Sequence, residues 1–406
     1  MEDGVIKAGQ AWPIDAVASL DVDTVAKIVF SMASTQLRAK DPLASIAWPI
    51  FANGSWDACG VSDAVLQGVY RDAQAMFQVE VAYPSRLAPC LDFARDVFVQ
   101  WQRCRTLTFF TSGSTGTPKA CTHTEEELRL ELASIAPLVA HATKALVTVP
   151  LHHLFGFTFG LMLPKTLGIP GTMLAALPTI VDAAIDDADL LIAIPLLLDK
   201  LVYLRSWTIG RQSLASLTIV SSTAPLPGKT FQELGKRGCH VLEFVGSSET
   251  GAVCVRTSSA DPFTLLPHVL RSGDGLVRVS QAGAVLPCAL MDGIAFQDDR
   301  HMRLLERMDR AVQVAGINVF PRCIATVLEG CKGVRQCLVR LMRPDEGFRL
   351  KAFIVPEDPT DQHLLERVRC FAKTHLTPVE RPASYTLGAK APRNAMGKLR
   401  DWSSKP

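Results

Sequence analysis

The chain has 406 residues, 48% hydrophobic and 20% charged, a balance that excludes global disorder and leaves room for more than one core. Its net charge of +2, with no basic run interleaved with aromatics, gives no electrostatic reason to expect nucleic acid or an anionic membrane as partner. The eleven cysteines stand singly, without Cys-x-x-Cys pairs or zinc-like spacing, which argues against a metal framework.

An odd cysteine count and an acidic start, Met1-Glu-Asp-Gly, with no apolar signal core point to a reducing, cytoplasmic compartment. In chain order, helical spacing runs over 21–37 and 62–79. The run 107–111 reads as a short strand, followed by a glycine-rich loop. From Thr122 onward, with the charged stretch 125–131, the pattern is that of a capped helix. Four further apolar runs end in polar loops. The run 145–149 leads into Pro150-Leu-His-His153, and 190–194 ends at Pro195. The run 217–220 leads into Ser221-Ser-Thr-Ala-Pro-Leu226, and 241–245 into Gly246-Ser-Ser-Glu-Thr-Gly251. The runs at 145–149 and 188–198 are too short or too interrupted to span a bilayer. Strands alternating with helices imply an α/β fold with a largely parallel sheet, whose ligands gather beyond the carboxyl ends of the strands. A second unit is expected from Asp309, with strands at 312–319 and 334–342 and helices at 325–329 and 363–374. The expected domains are 1–308 and a small α+β domain, 309–406.

The loop Thr111-Ser-Gly-Ser-Thr-Gly-Thr-Pro-Lys119 combines backbone freedom, hydroxyl donors and a mobile charge. Glycines let backbone amides approach an anion, so this is phosphate chemistry in type, although the GxxxxGK[ST] spacing of a Walker loop is absent. A flexible surface turn has the same composition, and the loop alone does not separate the two.

The loop resembles the phosphate loop of the adenylate-forming (AMP-binding) superfamily, which contains acyl- and aryl-CoA synthetases, and the resemblance continues in order to about residue 400. It implies a large N-terminal domain of layered α/β sheets with a distorted barrel, and a small mobile C-terminal domain. It also implies ATP and Mg²⁺ as cofactors, a small carboxylic acid as substrate, and coenzyme A or the phosphopantetheine of an acyl carrier protein as acceptor. Residues Thr111, Ser112, Gly113, Ser114, Thr115, Gly116, Thr117 and Lys119 would then hold the polyphosphate. Pro150-Leu-His-His153 resembles the family's Pro-x-x-His element, so His153 would gate the acid, with Phe155 beside it. The stretch 221–226 resembles the adenine loop, giving Thr223, Ala224 and Pro225 to adenine and Ser221 to the acid. An ordinary strand-to-helix turn with Pro225 near the helix start is the plainer reading.

Val245-Gly-Ser-Ser-Glu-Thr-Gly251 resembles the family's aromatic-Gly-x-Thr-Glu motif. Val245, Gly246 and Ser247 would line the nucleotide, Ser248 would meet the α-phosphate, and Glu249 would hold Mg²⁺. Val245 replaces the aromatic residue. Gly246, standing where acetate-specific relatives carry a bulky residue, implies space for a larger acid. Asp292 would bind the ribose, and Arg307, fifteen residues on, the ribose or phosphate, with Asp309 as hinge. Gln313 replaces a usual lysine, and Cys323 and Ala325 replace usual glutamates, which bears on the thiol acceptor. Pro392-Arg-Asn-Ala-Met-Gly-Lys398 resembles the family's C-terminal Gly-Lys element, making Lys398 the catalytic lysine, whereas a basic terminal tail is the plainer reading. The chain is shorter than the family's usual one, mostly before the phosphate loop. The expected activity is AMP-forming ligation of an aromatic, hydroxybenzoate-like or medium-size acid to a thiol. A non-catalytic nucleotide-binding relative and a medium-chain fatty acid ligase are the alternatives.

Overall fold

In the computed structural model, which describes residues 11–406 apart from 42, 43, 45, 112–118, 209–211, 281, 282, 308–310, 316, 344, 345, 393–400 and 403–406, the chain opens with four helices. These are α1 (Val22–Lys40), α2 (Trp48–Asn53), α3 (Asp63–Phe77) and α4 (Cys90–Trp101). Helix α1 starts where the Asp21 carboxylate accepts the Thr24 amide at 2.8 Å, and its inner face is Val25, Ile28, Val29 and Met32, spaced one helical turn at a time.

Strand β1 (Thr106–Thr111) pairs with β2 (Lys119–Thr124), and α5 (Glu125–Ile135) follows directly. The expected helix start at Thr122 is corrected here. Thr122 and His123 still belong to β2, and the cap is Thr124. Its hydroxyl accepts the Glu127 amide at 3.2 Å while the Glu127 carboxylate accepts the Thr124 amide at 2.8 Å, a reciprocal capping box.

Then strands and helices alternate: β3 (Ala145–Val147), a π-helix Gly156–Met162 running into α6 (Leu163–Leu167), β4 (Gly171–Met173), α7 (Pro178–Ala184), β5 (Leu190–Ala193), α8 (Pro195–Leu201), α9 (Arg205–Thr208), β6 (Thr218–Ser221), α10 (Gly228–Lys236) and β7 (His240–Ser247). Strands β4, β3, β5, β6 and β7 are parallel neighbours in that order. Leu190, Ile192, Val220, Leu242 and Phe244 join one core with helices α1 to α5. Their neighbours Leu191, Ala193, Ile219 and Val241 join a second core on the other face. Burial on both faces is why these strands read as unbroken apolar runs.

Past β7 the sheet turns antiparallel through β8 (Gly251–Arg256) and β9 (Phe263–Leu265). Strands β10 (Val269–Ser272), β11 (Gly275–Val279) and β12 (Val285–Pro287) form a separate antiparallel sheet. Strands β13 (Asp292–Phe296) and β14 (His301–Arg307) complete a nine-stranded sheet in the order β13-β14-β9-β8-β7-β6-β5-β3-β4. Where a distorted barrel was expected, no set of strands closes into one among the described residues.

The chain divides into two compact units, the second taking in the chain from Glu306 onward. There β15 (Val312–Val314) and β16 (Ile317–Val319) form a hairpin, where sequence pattern suggests one strand. Helix α11 (Pro321–Glu329), β17 (Val334–Leu341), β18 (Leu350–Pro356), α12 (Leu364–His375) and β19 (Ser384–Leu387) follow, with the two helices and the three-stranded sheet sharing one core. The ends of the segment 390–400 are tied to this sheet. On one side Ile354 accepts the Gly388 amide at 3.1 Å, and Arg335 donates to the Ala389 carbonyl at 2.7 Å. On the other, Arg340 grips Asp401 at 2.7 Å, Arg343 adds a second ion pair, and Trp402 stands edge-on to Phe353 with ring centroids 5.7 Å apart. Lys351, fully buried, meets the Glu346 carboxylate at 2.5 Å and the Trp402 carbonyl. A charge so deep is tolerated only with such partners. No helix among the described residues is long and apolar enough to cross a membrane.

Candidate active site

Parallel pairing sets the carboxyl ends of β3, β5, β6 and β7 along one edge of the sheet, and the loops carrying His153, Thr223 and Glu249 leave from that edge. After β3 the chain turns through Pro150 to His152 and His153, whose ring centroids are 4.6 Å apart. Ser31, buried on α1, holds this turn. Its hydroxyl accepts the Leu151 amide at 2.9 Å and meets His152 Nδ1 at 3.1 Å. Burial pushes the His152 pKa down to about 3 and lowers that of His153. Solvent nevertheless reaches His153. A neutral imidazole exposed at the end of β3 can meet a carboxylate without locking it in an ion pair. Phe155 is half-buried, 5.2 Å from Phe159 between ring centroids. Phe157 and Phe159 pack inward on Phe109 and Phe244.

The loop after β6 carries two marks of a binding surface. Thr223 has φ of +77°, a conformation strained for a β-branched residue. Ser221 Oγ and Thr223 Oγ1 are buried with no hydrogen-bond partner among the described residues. Unsatisfied donors beside a strained backbone fit a polar ligand such as a nucleotide. The loop is anchored from below, where the Glu243 carboxylate accepts the Leu226 amide at 2.7 Å and pairs with Arg256 at 2.7 Å. Pro225 stands three residues before α10, which begins at Gly228 behind Pro227.

Before the third loop, β7 carries a bulge between Val245 and Gly246. Val245 packs against the core beneath β8 to β14. A Cβ on Gly246 would lie 2.0 Å from the Gly251 carbonyl oxygen, so the glycine is demanded by the approach of β8. This structural demand for glycine stands beside the expected room for a larger acid. Ser247 and Thr250 knit the turn together. Thr250 Oγ1 accepts the Ser247 amide at 3.0 Å, and Ser247 Oγ accepts the Glu249 amide at 3.2 Å. The result presents Ser248 and Glu249, both half-buried, from a fixed turn.

Three residues that sequence pattern did not single out complete this edge. His123, buried on β2, donates from Nε2 to the Ser248 carbonyl at 2.6 Å. Glu131, buried on α5, accepts the Ala252 amide at 3.0 Å, and Glu243 was noted above. The alternating burial of β2, with Cys121 and His123 inward, is the signal that would have found His123.

Other expected site residues fall elsewhere or outside the description. Asp292 opens β13, at the far end of the strand order from β3, and Lys119 is exposed at the start of β2. Ser112, Gly113, Ser114, Thr115, Gly116, Thr117, Asp309 and Lys398 lie outside the described residues, as do the side chains of Thr111 and Arg307.

The buried titratable groups around this edge set opposite slopes of stability with pH. His152 and His268 are held neutral by burial, at about 3 and about 4. The unfolded chain takes up these protons near pH 6.5, so their contribution is full above that value and is lost as pH falls. Burial pushes Glu131 up to about 7, and its contribution works the other way: it is full below the ordinary carboxylate range and lost as pH rises through 7. Glu131→Gln removes the opposing slope. Thermal melts of the variant should lose stability more steeply than wild type between pH 7 and 4.5, by about 2–3 kcal/mol over that window. Parallel pH profiles would show that Glu131 is not held protonated in the folded chain.

Residues 104–293 match the family model described as AMP-binding enzyme. A 4-coumarate–CoA ligase of Halorhodospira halophila is 34% identical over 72% of this chain and 74% of its own length. Another of the same name, from Rhodobacter capsulatus, is 36% identical over 72% of this chain and 74% of its own. Among solved structures, the amide bond synthetase McbA of Marinactinospora thermotolerans superposes with a TM-score of 0.59 at 22% identity, over 72% of this chain and 67% of that one. The last likeness speaks to the fold alone.

Proposed function

The chain belongs to the AMP-binding enzyme family, and on that premise we propose that it is an AMP-forming acid–thiol ligase whose acid is aromatic, of the hydroxybenzoate or coumarate kind, and whose thiol is coenzyme A. The observation that supports it best is the edge described above, where His153, the orphan hydroxyls of Ser221 and Thr223, and Glu249 leave from parallel strands of one sheet. The names of the relatives and the half-buried Phe155 beside His153 favour a flat acid.

In this reading the acid carboxylate attacks the α-phosphorus of ATP and pyrophosphate leaves. A thiol then attacks the acyl carbon and releases AMP. Catalysis of phosphoryl-type transfer rests on positioning and charge neutralisation. Residues Ser112 to Thr117 and Lys119 cradle the polyphosphate, and Ser248 donates to the α-phosphate. Asp292 and Arg307 bind the ribose side, with Asp309 as hinge and Lys398 bridging carboxylate and phosphate oxygens. Glu249 would hold magnesium, which would neutralise polyphosphate charge; a hard cation shared with phosphates needs only one or two protein carboxylates. Thiolation surfaces differ from the family pattern at Gln313, Cys323 and Ala325, so an acyl carrier protein is the acceptor to compare with coenzyme A.

Pyrophosphate and AMP release across 4-coumarate, hydroxybenzoates, octanoate and acetate, with and without coenzyme A, tests the reading. Aromatic acids should lead, and thioester should form only with the thiol present. A preference for octanoate would move the substrate to medium-chain acids. Nucleotide binding without acid-dependent pyrophosphate release would leave a non-catalytic module. Glu249→Gln is expected to raise the Mg²⁺ concentration for half-maximal rate by at least about tenfold, and an unchanged Mg²⁺ titration would remove Glu249 from the metal.

A further inference from the structure

The turn that presents Glu249 is held from outside by side chains of two other elements. On one side the buried His123 ring donates from Nε2 to the Ser248 carbonyl at 2.6 Å. On the other, Glu131 accepts the Ala252 amide at 3.0 Å through Oε1, while Oε2 occupies the place a Cβ on Gly251 would need, 2.2 Å away. Gly251 also has φ of +66°, so no other residue would sit there without strain. Within the turn, Thr250 accepts from Ser247 and donates to the Gly251 carbonyl at 2.9 Å. Each backbone bond from 247 to 252 named here is made by a side chain that is itself buried or half-buried.

We propose that His123 is a positioning residue for Glu249: its Nε2–H fixes the Ser248 carbonyl, and with Glu131 on the opposite side it sets the direction in which the metal-binding carboxylate points. The proposal rests on the functional reading above, in which Glu249 holds magnesium. It follows from the bonding that the donor, not the ring, is what matters. A carbonyl anchored by a neutral donor leaves the turn rigid without placing a cation beside the metal. Burial keeps His123 neutral by lowering its pKa, and Glu249, Glu127 and Arg278 are the charged groups that face it. Partners hydrogen-bonded to a metal ligand commonly govern metal affinity by about 10- to 100-fold, and His123, acting one residue away through the Ser248 backbone, is expected at the lower end of that range, about tenfold.

The test compares wild type, His123→Ala, His123→Asn and His123→Gln in the full chain. Glutamine carries its amide nitrogen about where Nε2 lies, and asparagine does not reach it. Two readouts are used: acid-dependent pyrophosphate exchange across a Mg²⁺ titration, and the Mg²⁺ dependence of ATP binding by calorimetry. His123→Ala and His123→Asn should each raise the half-saturating Mg²⁺ concentration by about tenfold in both readouts, while His123→Gln returns it to within about threefold of wild type. If Ala fails to fold, the Asn and Gln pair decides the matter. An unchanged Mg²⁺ dependence in Asn, or equal losses in Asn and Gln, would overturn the positioning role and leave His123 as packing. Wild type that binds Mg²⁺-ATP but exchanges no pyrophosphate would overturn the ligase reading while the binding readout still judges His123. Wild type that binds no Mg²⁺-ATP would overturn both.

Discussion

Lys398→Ala is expected to abolish acid-dependent exchange of pyrophosphate into ATP, a loss of at least about 10²–10³-fold, while leaving thiol attack on supplied acyl-adenylate close to wild type. The asymmetry follows from where charge moves. In the first step two anions, a carboxylate and a polyphosphate, are brought together, and the pentacovalent transition state spreads negative charge over oxygens that only a cation can bridge. In the second step a thiolate meets a neutral acyl carbon and AMP leaves, so a lysine tuned to the first step contributes little. A variant that keeps exchange within a few-fold of wild type would take Lys398 out of the chemistry. A variant that loses both half-reactions equally would make it a general binding residue.

Gly246→Val is the second large effect, and it separates two physical accounts of one glycine. If Gly246 merely leaves space, valine should shrink the pocket, shifting preference towards acetate with the fold intact. The backbone geometry predicts otherwise. The new Cβ would lie 2.0 Å from the Gly251 carbonyl oxygen and 2.9 Å from the Ala252 Cα, inside the β7–β8 pair. Strands must part at the point where the Glu249 turn begins, so all acids should lose activity together, Mg²⁺ dependence should worsen, and stability should fall by several kcal/mol, about the upper range for a single substitution. A clean switch to acetate with an unchanged melting temperature would restore the pocket account.

How much of this was legible beforehand depends on how each feature is encoded. The parallel strands are local and two-sidedly buried, so 190–194 and 241–245 stand out as apolar runs. The strands β10 to β13 have exposed or half-buried residues along most of their length and carry no such run, so nothing marked them; β8, buried but for Arg256, directly follows the 246–251 loop and was not singled out. The loops at 150–153, 221–226 and 246–251 stood out as candidate sites because their residue types carry chemistry, and they leave one edge of the sheet. His123 and Glu131 were not, because their roles exist only through partners 125 and 121 residues away. Gly246 shows the converse. Its place in a motif invites a reading about ligand space, while the demand of the β7–β8 backbone is visible only in the fold.

The grip of Arg340, Arg343 and Lys351 on Asp401 and Trp402 has a geometric consequence for Lys398. Asp401 lies three positions after Lys398, with two residues between them, and a fully stretched chain advances about 3.3–3.6 Å per residue. If Lys398 has its proposed role, chain length alone would keep its Cα within about 10–11 Å of Asp401, which the three-stranded sheet holds.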